Sequence, residues 1–381
     1  MNPLFFLAAL VGMARVAKSR EPVRQITFRV TTAEPLAVGE QVFITGNDEA
    51  IGSWRPDGFP LTRMADRLWS GAAMVAADTA LEFKVTRGSW DDEEVLEDGR
   101  VPPNRSTPPG PDAVLPIEVR KWKDAHVPHD PQITGNYRVH DAFRSAHLRY
   151  DRRIIVWLPP SYEEQPERRY PVLYMQDGQQ VFDPRTSTWN YDWQVDESCT
   201  RLIAEERLPE IIVCAVYSTE DRIVEYNPSM AGPAYVNFMV EELKPFLDAH
   251  YHTLPGRETT AVAGSSFGAT ISFYLAWSHP DVFFGAACLS PAFHFENDRF
   301  VLDLVRDAPR APDLKLYLYC GLGDATEQQL ASGLYEMAEL LKDKGLVRGR
   351  NLLVRENPAG RHDEASWSQQ NTDWLPFLFP K

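Results

Sequence analysis

The pentapeptide Gly264-Ser265-Ser266-Phe267-Gly268 lies between an apolar run, Thr260-Ala261-Val262-Ala263, and a stretch of helical composition from Ala269 to His279. A serine with glycines two residues away on each side, set between a strand and a helix, predicts a nucleophile elbow. In such a turn the serine backbone is strained, and larger flanking side chains would collide with the incoming or outgoing element. The chemistry is nucleophilic attack, which needs a base within hydrogen-bond reach and a carboxylate to orient that base.

Both groups follow in chain order. After the strand-like Leu314 to Cys320 comes Gly321-Leu322-Gly323-Asp324, and after Leu352 to Arg355 comes Pro358-Ala359-Gly360-Arg361-His362. Each polar residue stands at the carboxyl end of a strand, and the carboxyl ends of parallel strands share one rim of a sheet. Asp324 is the expected acid, with Glu327 on the same loop as the alternative, and His362 is the expected base. His279 ends the elbow helix, and His140, His147, His250 and His252 all precede the elbow, away from that rim. One donor for the developing oxyanion is expected from the backbone N–H of Phe267. The second is expected from Gly178 or Gln179 in Gln176-Asp177-Gly178-Gln179-Gln180, with a plain tight turn at Asp177-Gly178 as the alternative. Proton transfer through His362 calls for no metal and no cofactor.

The elements that must position these residues have two grammars. From Gln25 to about Glu118, short segments such as Ile26-Thr27-Phe28-Arg29-Val30, Gln41 to Thr45 and Leu81 to Val85 alternate apolar and polar residues, the period of half-buried strands. This predicts a small β-sandwich over residues 24–122, followed by a linker at 123–132. Over residues 133–381, near-continuous apolar runs, Ile154 to Leu158, Pro171 to Met175 and Ile211 to Val216, predict strands covered on both faces. Leu330, Leu334, Met337 and Leu341 recur at helical spacing before Gly345, a helix stop. The alternation predicts a doubly wound, mostly parallel α/β sheet.

A net charge of −15 opposes binding to phosphate backbones, so nucleic acid is not an expected partner. The four cysteines, Cys199, Cys214, Cys288 and Cys320, lack C-x-x-C spacing and read as small buried hydrophobes. Met1 to Ala14 is apolar but too short to span a bilayer, and predicts a secretory leader over residues 1–20. Its positive residues, Arg15, Lys18 and Arg20, follow the apolar run instead of preceding it, so a misassigned start is the alternative. A secreted or periplasmic protein is therefore expected, with a cytoplasmic one as the alternative, and no membrane contact in the mature form.

With these residues in view, the second region resembles the esterase D and enterochelin-esterase-like family of α/β-hydrolases, which also holds feruloyl and acetyl-xylan esterases. The resemblance runs from about Thr134 to Phe379. It is carried by Val156 to Tyr162, Tyr174 to Gln179, Glu242 to Phe246, Gly264 to Gly268, Leu289 to Phe293 and His362 to Trp367. It implies an α/β-hydrolase fold and a serine esterase acting through Ser266, Asp324 and His362. Ala269 stands where many members have a second glycine, and Gln176 and Gln180 stand where His and Asn are common.

The first region resembles a starch-binding-type carbohydrate-binding module through Phe43 to Asn47, Ile51 to Trp54, Leu68-Trp69, Phe83-Lys84 and Pro103 to Arg105. The resemblance implies that Trp54 stacks on a sugar while Lys84 and Asn104 bond its hydroxyls. A second stacking tryptophan has no clear counterpart beside Val95-Leu96-Glu97-Asp98, with Trp90 as a substitute. Trp54 and Trp69 as sandwich core is the competing reading. A carbohydrate-linked feruloyl or acetyl ester is the expected substrate. A siderophore lactone, an acyl transfer reaction and a sugar-binding protein with an inactive hydrolase domain are the alternatives. Arg222 and Arg361 are candidates either for an anionic substrate or for structural ion pairs.

Overall fold

The computed structural model describes residues 22–37, 39–96, 101–123, 132–188, 191–295 and 297–381. The expected leader at 1–20, most of the expected linker at 123–132, and Glu97 and Asp98 lie outside the described residues. The chain divides into two units, Met1–Val127 and Pro128–Lys381.

In the first unit, β1 (Val23–Thr32) alternates outward and inward residues along its length. The remaining strands are β2 (Phe43–Gly46), β3 (Phe59–Pro60), β4 (Thr62–Ala65), β5 (Leu68–Ala76), β6 (Leu81–Thr86), β7 (Glu94–Val95), β8 (Arg105–Thr107), β9 (Ala113–Val119) and β10 (Lys121–Trp122). They form two four-stranded sheets, ordered β4-β5-β1-β9 and β3-β2-β6-β8, and a β10-β7 pair. Ile26, Phe28 and Val30 of β1 with Trp69 and Val75 of β5 meet Ile44 of β2 and Phe83 and Val85 of β6 in a single core. Phe28 and Phe83 touch edge to face at 5.3 Å. Each such side chain contributes about 1.5–3 kcal/mol when fully buried.

The second unit is built on an eight-stranded sheet of order β11-β12-β14-β13-β15-β16-β17-β18. Its strands are β11 (Asn136–Phe143), β12 (Arg152–Leu158), β13 (Val172–Gln176), β14 (Ile212–Val216), β15 (Thr260–Ser265), β16 (Gly285–Leu289), β17 (Lys315–Gly321) and β18 (Leu352–Asn357). From β14 to β18 neighbouring strands run parallel, while β12 is antiparallel to both of its neighbours. The helices are α1 (Val195–Ala204), α2 (Arg222–Glu225), α3 (Gly232–Asn237), α4 (Lys244–His250), α5 (Phe267–Ser278), α6 (Phe300–Asp307), α7 (Ala325–Asp343), α8 (Glu364–Ser368) and α9 (Asn371–Leu378).

Alternate residues of one strand feed different cores, which is why these strands read as continuous apolar runs. Val156, Tyr174, Val262, Cys288 and Leu318 pack with residues of α3 to α7. Trp157, Met175, Ala263, Leu289 and Tyr319 pack with residues of α1, α8 and α9. Helix α5 is buried on nearly every face. The four cysteines are buried and unpaired. Among the described residues no helix is long and apolar enough to cross a membrane.

Candidate active site

Ser266 joins β15 to α5 with φ 55° and ψ −127°, a conformation that costs a non-glycine residue about 1–3 kcal/mol. A Cβ on Gly264 would lie 2.5 Å from the Gly268 carbonyl oxygen, and one on Gly268 would lie 2.9 Å from a carboxylate oxygen of Asp177. The two glycines therefore answer to close approach within the turn. The Ser266 N–H donates to the Leu289 carbonyl at 3.0 Å, and the Ser266 carbonyl accepts from Ala269 and Thr270 at 3.1 Å. The strained residue is thus clamped through its backbone. Its hydroxyl is half-buried and, among the described residues, makes no hydrogen bond within the chain.

The carboxylate facing the histidine is Glu327, which corrects the expectation for Asp324. His362 Nδ1 lies 2.9 Å from Glu327 Oε1, and Glu327 Oε2 accepts the Gly321 N–H at 2.7 Å. Asp324 is instead the N-cap of α7: its Oδ1 accepts the Glu327 N–H at 2.9 Å, and its Oδ2 accepts the His362 backbone N–H at 2.8 Å. The physical reason is local. A cap side chain turns back over the first helical turn, so Asp324 is committed to backbone donors while Glu327, three residues on, points to the imidazole. Asp-x-x-Glu at a helix start has the capping-box spacing, and that was the signal available in the sequence.

The imidazole is held from two further directions. A Cβ on Gly321 would lie 2.2 Å from the Gly360 carbonyl oxygen, and the Gly323 N–H donates to that oxygen at 2.7 Å. The loops after β17 and β18 are thereby joined backbone to backbone. Trp367 stands edge-on to His362 at 5.0 Å and donates Nε1–H to the Ser290 hydroxyl at 2.9 Å. Ser290, which follows β16 with φ 48°, lies in the Leu289 to Phe293 stretch that carries the resemblance but was given no role from sequence. With Nδ1 donating to Glu327, Nε2 is the acceptor nitrogen.

The expected oxyanion donors occupy two chain turns. Phe267 supplies the first N–H of α5. Asp177, with φ 56°, turns the chain from β13 into a 3-10 turn over Gly178–Gln180. A Cβ on Gly178 would lie 2.7 Å from the Ala215 carbonyl carbon and 2.8 Å from the Tyr217 nitrogen, so glycine is required by the end of β14. Gln179 Nε2 donates to Ser218 Oγ at 2.7 Å. Gln176 accepts a hydrogen bond from Tyr235, while Gln180 bonds Ser187 and Thr188.

Arg222 forms a two-point ion pair with Asp177, both contacts 2.7 Å. Burial opposes its charge, but the Asp177 carboxylate more than offsets this and raises its pKa. Its side chain keeps 28% of its surface exposed while Asp177 keeps 5%. Arg361 lies 3.8 Å from Asp363. Two residues past His362, Glu364 is buried and its pKa is pushed well up by desolvation. Among the described residues the other histidines have partners or places of their own: His140 meets Tyr251, His147 meets Glu241, His250 meets the Phe246 carbonyl, His252 stacks on Tyr162, His279 closes α5 and His294 lies 3.4 Å from Arg299.

In the first unit the expected sugar-binding residues diverge. Trp54 is half-buried with φ 64° and its N–H donates to Gly46 at 2.8 Å. Lys84 is a correction: only 6% exposed, it lies 3.4 Å from Glu93 and donates to the Pro102 carbonyl at 3.0 Å. Glu93, Pro102 and Pro103 cover the outward face of β6 there, and burial pulls the ammonium pKa down to about 8. Trp69 is core. Asn104 is half-buried and donates to Glu82 at 3.1 Å, and Trp90 is half-buried in a 3-10 turn.

Residues 145–378 match the Esterase family model, and residues 23–109 match the starch binding domain model. The chain belongs to the Esterase family and is a carboxylic ester hydrolase. It is 28% identical over 241 residues to the uncharacterized protein YjcH of Bacillus subtilis, which covers 62% of this chain and 92% of that one. A region of 216 residues, 56% of this chain and 27% of the other, is 24% identical to an endo-1,4-beta-xylanase/feruloyl esterase of Xylanibacter ruminicola. A further 100 residues, 26% of this chain and 8% of the other, are 32% identical to an alpha-amylase of Niallia circulans. Among solved structures, a ferulic acid esterase superposes with TM-score 0.53 at 23% identity over 64% of this chain and 98% of its own. The enterobactin esterase of Shigella flexneri, in the presence of enterobactin, gives TM-score 0.53 at 14% identity over 93% of both chains. At these identities the likeness speaks to the fold.

Proposed function

We propose that this protein is a serine carboxylesterase of the α/β-hydrolase fold working through Ser266, His362 and Glu327. Ser266 Oγ attacks the ester carbonyl as His362 Nε2 takes its proton, and Glu327 stabilises the imidazolium. The tetrahedral oxyanion is received by the N–H of Phe267 and by that of Gly178 or Gln179. Collapse expels the alcohol, which leaves with the proton from His362. Water then attacks the acyl-enzyme, gives a proton to His362 and releases the acid and Ser266. Every proton passes through His362, so the scheme calls for no metal or cofactor. The observation that carries it is the buried Glu327 held against His362, on the same rim as a strained serine whose hydroxyl is free.

For the substrate we propose a carbohydrate-linked feruloyl or acetyl ester, met outside the cytoplasm. The starch-binding match and the xylanase/feruloyl esterase relative support it. A siderophore lactone is the second reading: Lys84 is engaged within the sandwich, and the enterobactin esterase fold extends over 93% of the chain.

The test is turnover on short acyl nitrophenyl, feruloyl, acetylated-xylan and catecholate-lactone esters, for the native protein and Ser266→Ala. We expect Ser266→Ala to lose about a million-fold in turnover, and a residual rate near native would refute Ser266 as nucleophile. A specificity constant highest for feruloyl or acetyl polysaccharide supports the first substrate reading, and one highest for the lactone supports the second. Faster acyl transfer to an added alcohol than to water would replace hydrolysis by acyl transfer. Retention on starch or xylan that falls in Trp54→Ala supports sugar binding, and no retention by the native protein removes it.

A further inference from the structure

We infer that Asp192, Asp196 and Glu197 hold a hard divalent cation, of calcium size, at the start of α1. One carboxylate oxygen from each lies within 4.8 Å of the others. Oxygen ligands at 2.3–2.6 Å from a calcium ion are at most about 5 Å apart, so one ion can contact all three. Asp196 is fully buried and Asp192 only 4% exposed, whereas Glu197 is exposed and opens the group to solvent.

The hydrogen bonds already present leave acceptor capacity unused. Asp196 Oδ2 accepts the Thr134 N–H at 2.6 Å, Asp192 Oδ2 accepts the Gln194 N–H at 3.1 Å and Glu197 Oε1 accepts the Thr134 hydroxyl at 3.2 Å. Asp196 Oδ1, however, is buried with no donor in reach, and beyond Thr134 the side chain meets only the carboxyl of Glu197, a fellow acid. An orphaned carboxylate oxygen costs several kcal/mol unless a cation or donor reaches it. Among the described residues no lysine, arginine or histidine pairs with any of the three. Three other buried carboxylates meet a cation, Asp177 with Arg222, Asp183 with Arg185 and Glu225 with Arg152, whereas Glu364 also keeps an oxygen without a partner. The positive end of α1 favours acids in its first turn, which accounts for Glu197 but does not satisfy Asp196 Oδ1. Oxygen-only donors exclude a thiolate- or imidazole-selective ion, and an irregular three-carboxylate set suits calcium better than magnesium, which demands near-ideal octahedral geometry.

The site bears on the catalytic wall through Trp193. That side chain follows Asp192 and packs on Trp367 at 5.7 Å, and its carbonyl accepts from Asn371 Nδ2 at 2.6 Å. Trp367 in turn stands against His362. A bound ion ties the end of the segment that follows the Gly178–Gln180 turn to the wall behind the imidazole.

The inference is independent of the esterase mechanism, and its readout is thermal. Full-length protein stripped with EDTA is unfolded with and without 1 mM calcium chloride, at ionic strength matched with potassium chloride. Calcium is expected to raise the melting temperature of the carboxy-terminal unit by about 5 °C. Asp196→Asn and Asp192→Asn are expected to fold, since an amide matches a neutral acid in shape, and to lose the shift. If neither folds, Glu197→Gln decides, with an expected weakening of calcium affinity of about 10-fold. No shift in the native protein at 10 mM calcium, or a full shift in the folded variants, overturns the site. An equal shift from matched potassium chloride overturns it as ionic screening, and an equal shift from magnesium overturns the calcium assignment.

Discussion

Lys84 in the amino-terminal unit and Glu327 in the carboxy-terminal unit are both charged groups taken almost wholly out of water, and they differ in what their partners face. Lys84 is 6% exposed and its partner Glu93 1%, so that pair is closed on itself. Glu327 is 0% exposed, but its partner His362 keeps 19% of its side chain in contact with solvent. A closed pair fixes a conformation, because both ends are consumed by the fold. An open pair fixes only its buried end and leaves the other nitrogen for chemistry. The family motifs select Lys84 and His362 alike, and their exposure, 6% against 19%, separates them.

The first way to break the contrast is to remove the buried end of the open pair. Glu327→Gln is expected to lower kcat by about 10,000-fold with KM little changed, because the amide cannot stabilise the imidazolium. Asp324→Asn, which weakens a helix cap and the anchor of the His362 backbone, is expected to cost less than about 100-fold, together with about 1 kcal/mol of stability. Steady-state kinetics on one ester compares the two, and a larger loss in Asp324→Asn would return the acid role to that residue.

The closed pair should behave in the opposite sense. Lys84→Met leaves Glu93 with Lys123, 3.6 Å away, and is expected to destabilise the first unit by about 3 kcal/mol while ester turnover stays within about twofold of native. Calorimetry and kinetics on the same preparation read both quantities. A loss of turnover without a loss of stability would make Lys84 functional.

Glu364 sharpens the comparison with the smallest effect, as a buried acid with neither arrangement. Its folded pKa is raised above the ordinary 4.5 by burial. The linked stability is therefore fully present below the unfolded value and is lost as pH rises through the folded value. Glu364→Gln cannot ionise, so its melting temperature relative to native is expected to climb between pH 4 and pH 8. A difference independent of pH would mean that Glu364 titrates normally.

The residues that spacing made legible are those whose role is set by backbone sterics. Gly264 and Gly268 announce a turn that only small residues survive, whereas the close approach of Gly321 to Gly360 emerges only in the fold. The apolar runs of β12, β13 and β14 follow from burial on two faces. Asp324 and Glu327 stand on one loop after β17, and place in the fold alone does not separate them; the capping-box spacing is the one sequence signal that does, and the capping geometry bears it out. The fate of Lys84 was hidden for another reason. It depends on a segment more than a dozen residues away that folds over β6, and strand periodicity carries no trace of such a cover.

The most direct measurement of the central claim is peptide mapping by mass spectrometry after the intact protein reacts with a fluorophosphonate. One adduct on the peptide carrying Ser266 is expected, formed far more slowly in Glu327→Gln. No adduct, or an adduct that persists in Ser266→Ala, would contradict the account.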